Sequence, residues 1–461
     1  MPRATFALFF AACVFAQSPA ATKIPKINFT DTTLDNGLRV IISEDHYAPM
    51  YAIVVSYKVG SRDERQGRTG FAHLFEHMMF EGSANAPKGT HFKLVQANGG
   101  TLNGSTHPDY TDYYETLPAN KLAVALWLES DRMRSLAVTA ENLDNQKEAV
   151  KQERRLRFDN QPYSTAIVDV WPEVAFRNWQ NSHSLIGSFE DLNAATLDDV
   201  STFFRTYYAP NNAVLVIVGD VQIPETKQMV EHYFGDIPPQ PRPRRPDLTE
   251  PEPARPRSET YHDQHARVPA VVVGYPGPVR HSADYYSLGM TDMLLTGGPS
   301  SRFQLNLVKG RQSVVQYQAE LGWPFESSTD YKNPGDYAMF LLYKPDFTPE
   351  QVVDHAQEEI AKIQNEGVKI DELDRARALL RSDRITALQS SFRRAALLGQ
   401  YEVLDGNPDY VNTDLDRFLA VTPGEIQAAT KKYLTPERRS VLQILPGVEP
   451  PAGSPEESIS R

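Results

Sequence analysis

Phe71-Ala72-His73-Leu74-Phe75-Glu76-His77-Met78-Met79-Phe80 is the stretch on which the reading of this chain turns. Residues four apart on a helix share a face, so His73 and His77 can offer two imidazoles to one metal ion. Glu76 lies one residue before His77 and leans toward the same point. A carboxylate there can take a proton from a water whose pKa a Zn²⁺ ion has lowered toward neutrality. The competing reading is an apolar core helix whose histidines bond backbone carbonyls, and Leu74, Phe75, Met78, Met79 and Phe80 are core-forming residues. Two imidazoles and an acid are costly to bury without a compensating charge, which favours the metal.

Working outward, residues 1–20 read as a signal peptide. Met1-Pro2-Arg3 is a short positive start, Ala4 to Phe15 is apolar, and Val14-Phe15-Ala16 offers a small-x-small cleavage site. The run is too short to span a bilayer. The chain is therefore expected to be exported, to a periplasmic or extracellular destination. Its single cysteine, Cys13, falls in this segment. Phe10 and the apolar residues after Cys13 match a lipoprotein signal poorly, so lipid anchoring is not expected. Without Cys13 no thiol remains for a disulfide or a cysteine zinc site. The chain carries 47 Lys+Arg against 59 Asp+Glu, a net charge of −12 that loss of Arg3 makes one unit more negative. That acidity argues against nucleic acid as a partner. No later run approaches the roughly eighteen apolar residues of a transmembrane helix.

The 461 residues are too many for one core. Between Pro238 and Pro256 eight prolines fall in nineteen residues, an extended, semi-rigid linker whose basic cluster reads as solvated. The two sides of it repeat each other. Thr196-Leu197-Asp198-Asp199 and Thr422-Pro423-Gly424-Glu425 are capping boxes that open helices, and each helix is followed by a strand, Ala213 to Gly219 or Ser440 to Leu445. The offset of the two threonines is 226 residues, which indicates a duplicated domain. The expected organisation is a signal peptide (1–20), an N-terminal metal-binding domain (24–237), a Pro-rich linker (238–258), a homologous C-terminal domain (259–447) and a disordered tail (448–461).

Leu38 to Ile42 and Tyr51 to Tyr57 are β-branched runs at hairpin distance. Helices are expected over Ala119 to Arg134, Leu143 to Phe158, Pro349 to Glu366 and Ile370 to Gln389, with a strand over Val268 to Val273. Mixed strands and helices in a duplicated half give an α+β class.

A catalytic zinc takes three protein ligands, so an acid from another helix is needed. The charged helix offers Glu148 and Glu153, and helical geometry does not choose between them. Either could equally be a solvated salt-bridge residue.

The order His-x-x-Glu-His is that of the inverzincins. Around it the sequence resembles the M16 metallopeptidases, the family of pitrilysin, insulin-degrading enzyme and the mitochondrial processing peptidase. The matching residues are His73-x-x-Glu76-His77, the segment from Asn36, Gly99-Gly100-x-x-Asn103-Gly104-x-Thr106, Trp127 to Met133, Glu153-Arg154-Arg155 and Tyr208-Ala209-Pro210-Asn211-Asn212. The resemblance covers nearly all of the chain beyond the signal segment and is closest from residue 33 to 221. It implies two homologous α/β-roll domains, as in the short bacterial branch, with a metal only in the first. The helix at Tyr285 to Met290 indeed lacks His-x-x-Glu-His.

The same resemblance implies one Zn²⁺ per chain, held by His73, His77 and Glu153, with Glu76 as the base. The strand around Asn103, Gly104, Ser105 and Thr106 would pair with a peptide substrate, the alternative being an ordinary hairpin edge. Two departures stand out. A position seven before the ligand Glu is usually a second Glu, close to two helical turns away and so on the same face, and here it is Gln146. An Arg and a Tyr seven apart, downstream of a Gly-Gly-x-Ser-Ser-Arg segment, usually stabilise the oxyanion. Gly297 to Arg302 is present, but those positions fall on Val308 and Val315, with Arg311 and Tyr317 nearby but six apart. The expected function is zinc-dependent endopeptidase action on peptides or unfolded segments, in a homodimer or beside a related chain that supplies the Arg/Tyr pair. The rival expectation is a non-catalytic or weakly active chamber subunit. A bare metal store or sensor is disfavoured, because it would give Glu76 no task.

Overall fold

The computed structural model describes residues 24–253, 255–322, 331–332 and 334–447. The expected signal peptide with Cys13 lies outside these residues, apart from them, and so does the expected tail.

Among the described residues eleven strands form two sheets. The first contains β1 (Thr30–Thr33), β2 (Arg39–Glu44), β3 (Met50–Tyr57), β4 (Thr101–Thr106), β5 (Thr111–Pro118) and β6 (Ala213–Gly219), in the order β1-β2-β6-β3-β5-β4. The second contains β7 (Arg257–Asp263), β8 (Ala270–Pro276), β9 (Val314–Gly322), β10 (Asp336–Tyr343) and β11 (Ser440–Pro446), in the order β7-β11-β8-β10-β9. Each sheet has one parallel pair, β2 with β6 and β7 with β11, and is otherwise antiparallel. The order β2-β6-β3-β5-β4 therefore maps strand for strand onto β7-β11-β8-β10-β9. β1 is an added edge, and the duplication read from the two capping boxes is a duplication of topology. Both boxes form, Thr196 with Asp199 and Thr422 with Glu425, and each helix leads into an interior strand of its sheet, β6 or β11.

The hairpin suggested for the first two β-branched runs does not form. β6 lies between them, parallel to β2 and antiparallel to β3. β6 is aliphatic from Val214 to Val218 and buried at every position. A strand apolar on both faces belongs at a sheet centre, where both faces are covered. The helix expected at 119–134 spans Leu122–Ser135, and that at 143–158 runs as Ala140–Arg154 before a wider turn over Arg155–Asp159. Pro349–Glu366 forms as expected, and the next helix is Ile370–Ala387.

The covers of the two sheets are exchanged. One face of the first sheet packs on helices of its own half, with Tyr51, Ile53, Val55, Leu215 and Ile217 pointing that way. Its other face, Ala52, Val54, Val214, Val216 and Val218, is covered by Ala395, Leu398 and Tyr401 of the helix Ser391–Asp405. Reciprocally, Val272, Ala338 and Leu442 of the second sheet lie under Ala166, Trp171 and Val174 from the first half. Gly274 makes room for this, since a Cβ there would stand 2.3 Å from the Trp171 ring. The segment 238–253 has no regular structure but is tied down. Glu250 accepts the N–H groups of Arg177 and Asn178, and Arg245, expected to be solvated, pairs with Asp63. Among the described residues no helix is long and apolar enough to cross a membrane.

Candidate metal centre

The motif helix spans Phe71–Met78. Its N-terminus is held by the Glu64 carboxylate, which accepts the backbone N–H groups of Gly70 (3.0 Å) and Ala72 (2.7 Å), satisfying donors that the first turn leaves open. Gly70 is left-handed (φ 75°) and abuts Gly187, so the entry to the helix admits no side chain there. Leu74, Phe75 and Met78 fill the core. His73, Glu76 and His77 instead line a cavity of about 860 Å³.

Glu153 comes to this wall from the end of the helix Ala140–Arg154. Its Oε2 is 3.1 Å from His77 Nε2 and 3.7 Å from His73 Nε2. One donor atom from each of the three residues lies within 4.8 Å of the others, a spacing that suits three ligands of one ion. The donor set, two imidazoles and a carboxylate, is one that zinc takes. Glu148, the other candidate, faces away: it pairs with Lys151 and its side chain is 69% exposed. Gln146 lies on the same face as Glu153, with its Oε1 3.1 Å from His77 Nδ1.

Opposite the helix, β4 is the last strand of its sheet. The Thr106 hydroxyl donates to Glu76 Oε2 at 2.7 Å. Gly104 allows this approach, because a Cβ there would come 3.2 Å from the Glu76 carboxylate. Ser105 donates to Asp112 (2.6 Å), and Asn103 is exposed. All four of these strand residues line the cavity, with Phe80, Phe92, Leu156 and Ile186 as its apolar wall.

Burial pushes His73 down to about 3, helped by the neighbouring His77, so it is a neutral imidazole with a lone pair to offer. Burial works the other way on His77, but the hydrogen bond to Glu153 and the charges of Glu76 and Glu153 lift it above the usual imidazole range. Burial raises Glu76, the direction that suits a carboxylate meant to carry a proton. The bond from His77 holds Glu153 below the ordinary carboxylate range.

A second acid–histidine cluster lies behind this wall. His91 pairs with Glu115, and Glu129 with Arg132, all four buried. The Arg132 guanidinium also sits 4.5 Å from the Tyr113 ring and 5.4 Å from that of Phe80. Three of these residues meet the same spacing test as the metal cluster.

The family model described as "Insulinase (Peptidase family M16)" matches residues 39–188, and that described as "Peptidase M16 inactive domain" matches residues 194–380. The chain belongs to peptidase family M16. It is 27% identical to the "Zinc protease PqqE" of Helicobacter pylori, over 87% of this chain and 89% of that protein. The crystal structure of a protease from Helicobacter pylori superposes with a TM-score of 0.85 at 24% identity, over 92% of this M16 chain and all of that one. The periplasmic protease PqqL from Escherichia coli gives a TM-score of 0.73 at 17% identity, and there the match covers 92% of this chain but 48% of PqqL.

The M16 chain has no Arg/Tyr pair at the positions expected from the resemblance. Val308 packs against the second core and Val315 is half-exposed on β9. The two nearby substitutes are engaged elsewhere, Arg311 in an ion pair with Glu358 and Tyr317 with the Ser301 hydroxyl at 2.9 Å. Sequence reasoning missed Glu81, whose carboxylate accepts from Gln146 Nε2 at 2.7 Å. It follows the motif helix, past the end of the 3.6-residue period, so no helical spacing pointed to it.

Proposed function

We propose that this M16 protein is a zinc-dependent endopeptidase that hydrolyses peptides or unfolded polypeptide segments. The observation that carries the reading is the His73–His77–Glu153 cluster opening onto a cavity, with Glu76 on the same wall. A zinc ion there, one per chain, would supply Lewis acidity to water and to the substrate carbonyl. The remaining work falls to the chain's own side chains. Thr106 occupies Oε2 of Glu76, so Oε1 accepts the proton from water and passes it to the leaving amine. Residues 103–106 lie on an edge strand, where an extended substrate can add as a further strand. That mode selects extended chains over folded domains. Residues 24–237 and 259–447 are the homologous units under this reading, with 238–258 between them.

The test is cleavage of a quenched fluorescent peptide library by the purified chain, with chelator and with zinc restored. Chelator-sensitive cleavage that is lost in Glu76→Gln supports the reading. Cleavage indifferent to chelator sinks the zinc, and an unimpaired Glu76→Gln sinks the base.

A second reading is favoured by Val308 and Val315. Absence of oxyanion donors typically costs about a hundred- to a thousandfold in rate. Under this reading the chain is a weakly active or non-catalytic subunit, and a related chain supplies the Arg/Tyr pair. The PqqL chain, about half of which this chain covers, supports a working unit of two such lengths. The signal-like residues 1–20 and the periplasmic setting of PqqL support export. Light scattering of the chain alone, then rates after mixing with a related chain, separates the two readings.

A further inference from the structure

We infer that Glu81 is a positioning residue for His77, acting through the side-chain amide of Gln146. The purpose of this relay rests on the zinc reading above, but its geometry does not. Glu81 is buried, its Oε1 accepts from Gln146 Nε2 at 2.7 Å, and Lys88 forms an ion pair with its other oxygen. Gln146 turns its Oε1 to His77 Nδ1 at 3.1 Å. Asn142 Nδ2 donates to the Glu81 carbonyl at 3.3 Å and pins the turn that carries it.

The order of these contacts is forced by donor and acceptor chemistry. An ionised carboxylate only accepts, so the Gln146 NH₂ must face Glu81. Its carbonyl must then face His77, and Nδ1 must carry the hydrogen. With its hydrogen on Nδ1 held by Gln146, the ring keeps Nε2 toward Glu153, and that is the nitrogen a cation would use in place of its proton. With an apolar residue at 81 the amide is free to turn over and place its NH₂ against Nδ1. The Nδ1 hydrogen then loses its acceptor, and the ring is no longer held with Nε2 toward Glu153. Glu81 also answers the missing charge at Gln146. The negative group expected at 146 from the family resemblance is present, moved one link outward along His77–Gln146–Glu81.

The test uses the full chain in metal-free form and two readouts. One is the rate at which the His77 Nδ1 hydrogen exchanges with solvent, assigned against His77→Gln. The other is the zinc dissociation constant by competition with a chromophoric chelator. Glu81→Leu should speed that exchange and weaken zinc about 10- to 100-fold, the usual effect of removing an outer partner of a ligand. Glu81→Gln should weaken it less. Adding Gln146→Glu to Glu81→Gln exchanges the two groups and should recover most of the affinity, which a merely structural role of Glu81 does not predict. Unchanged Nδ1–H exchange and affinity in Glu81→Leu would overturn the inference, as would a double variant, Glu81→Gln with Gln146→Glu, no better than Glu81→Gln alone. Should Glu81→Leu fail to fold, the isosteric single and exchange variants carry the test. Failure of the parent chain to take zinc would overturn the metal reading alone, and the Nδ1–H exchange rate would still decide the relay.

Discussion

Two acid–histidine clusters stand in the same half of this molecule and differ in what surrounds them. His73, His77 and Glu153 line a cavity, and no side-chain cation stands among the three, although Arg157 holds the outer oxygen of Glu153 at 2.9 Å. His91, Glu115 and Glu129 meet the same distance test but are sealed, with the Arg132 guanidinium bonded to Glu129. The comparison teaches that residue type and spacing do not make a metal site. In the sealed cluster the Arg132 guanidinium stands where a metal ion would have to sit, whereas the open cluster faces a cavity and its Arg157 holds only the outer oxygen of Glu153. The sealed cluster is a structural ion pair beneath Phe80 and Tyr113, and the open one is the candidate centre.

The widest gap between the two should appear on removing a carboxylate from each. Glu153→Ala should abolish stoichiometric zinc binding and turnover together, whereas Glu129→Ala should leave zinc per chain unchanged in whatever protein folds, by metal analysis after dialysis. Next in size, Glu76→Gln should lower kcat by about a hundred- to ten-thousandfold with zinc retained, the usual range for a lost general base. In the sealed cluster, Arg132→Leu should cost about 3–5 kcal/mol of stability, since breaking a buried pair strands a charge. Denaturant unfolding reads that loss, and a stable Arg132→Leu protein would erase the distinction drawn above. Smaller again, His91→Leu or Glu115→Leu alone should cost about 1–3 kcal/mol by leaving a buried polar partner unpaired. The double substitution should cost less than the sum. The smallest effect is spectroscopic. Burial and the charge of Arg132 push His91 down to about 3, so its imidazole should stay neutral until the pH approaches that value. In the metal-free chain His77 should take up its proton above the usual imidazole range. Ring-nitrogen shifts against pH show both.

Much of this was legible before any coordinates. His73, Glu76 and His77 share a face because a helix turns by a fixed amount per residue, and the structure brings their side chains to one cavity wall. The capping boxes at Thr196 and Thr422 depend only on neighbours three residues on. Less legible was Glu153. Its helix was evident, but the choice over Glu148 came from the family resemblance, and the structure shows Glu148 on the exposed face. Not legible at all were the insertion of β6 between β2 and β3 and the Glu81 relay. Both depend on residues far apart in sequence, or just beyond the end of a helix where periodicity stops.

The sequence by itself determined the local events: the motif helix, the capped helices, the aliphatic central strand and the repeat of one plan at an offset of 226 residues. Each follows from interactions within a few positions along the chain. Tertiary structure alone decided which acid meets the two histidines, which histidine cluster is open, and which half covers which sheet. Trp171 on the second sheet and Leu398 on the first are placed by the need to bury both faces of sheets that are apolar on both sides. Such burial is a property of surfaces rather than of neighbours in sequence, so no spacing along the chain records it.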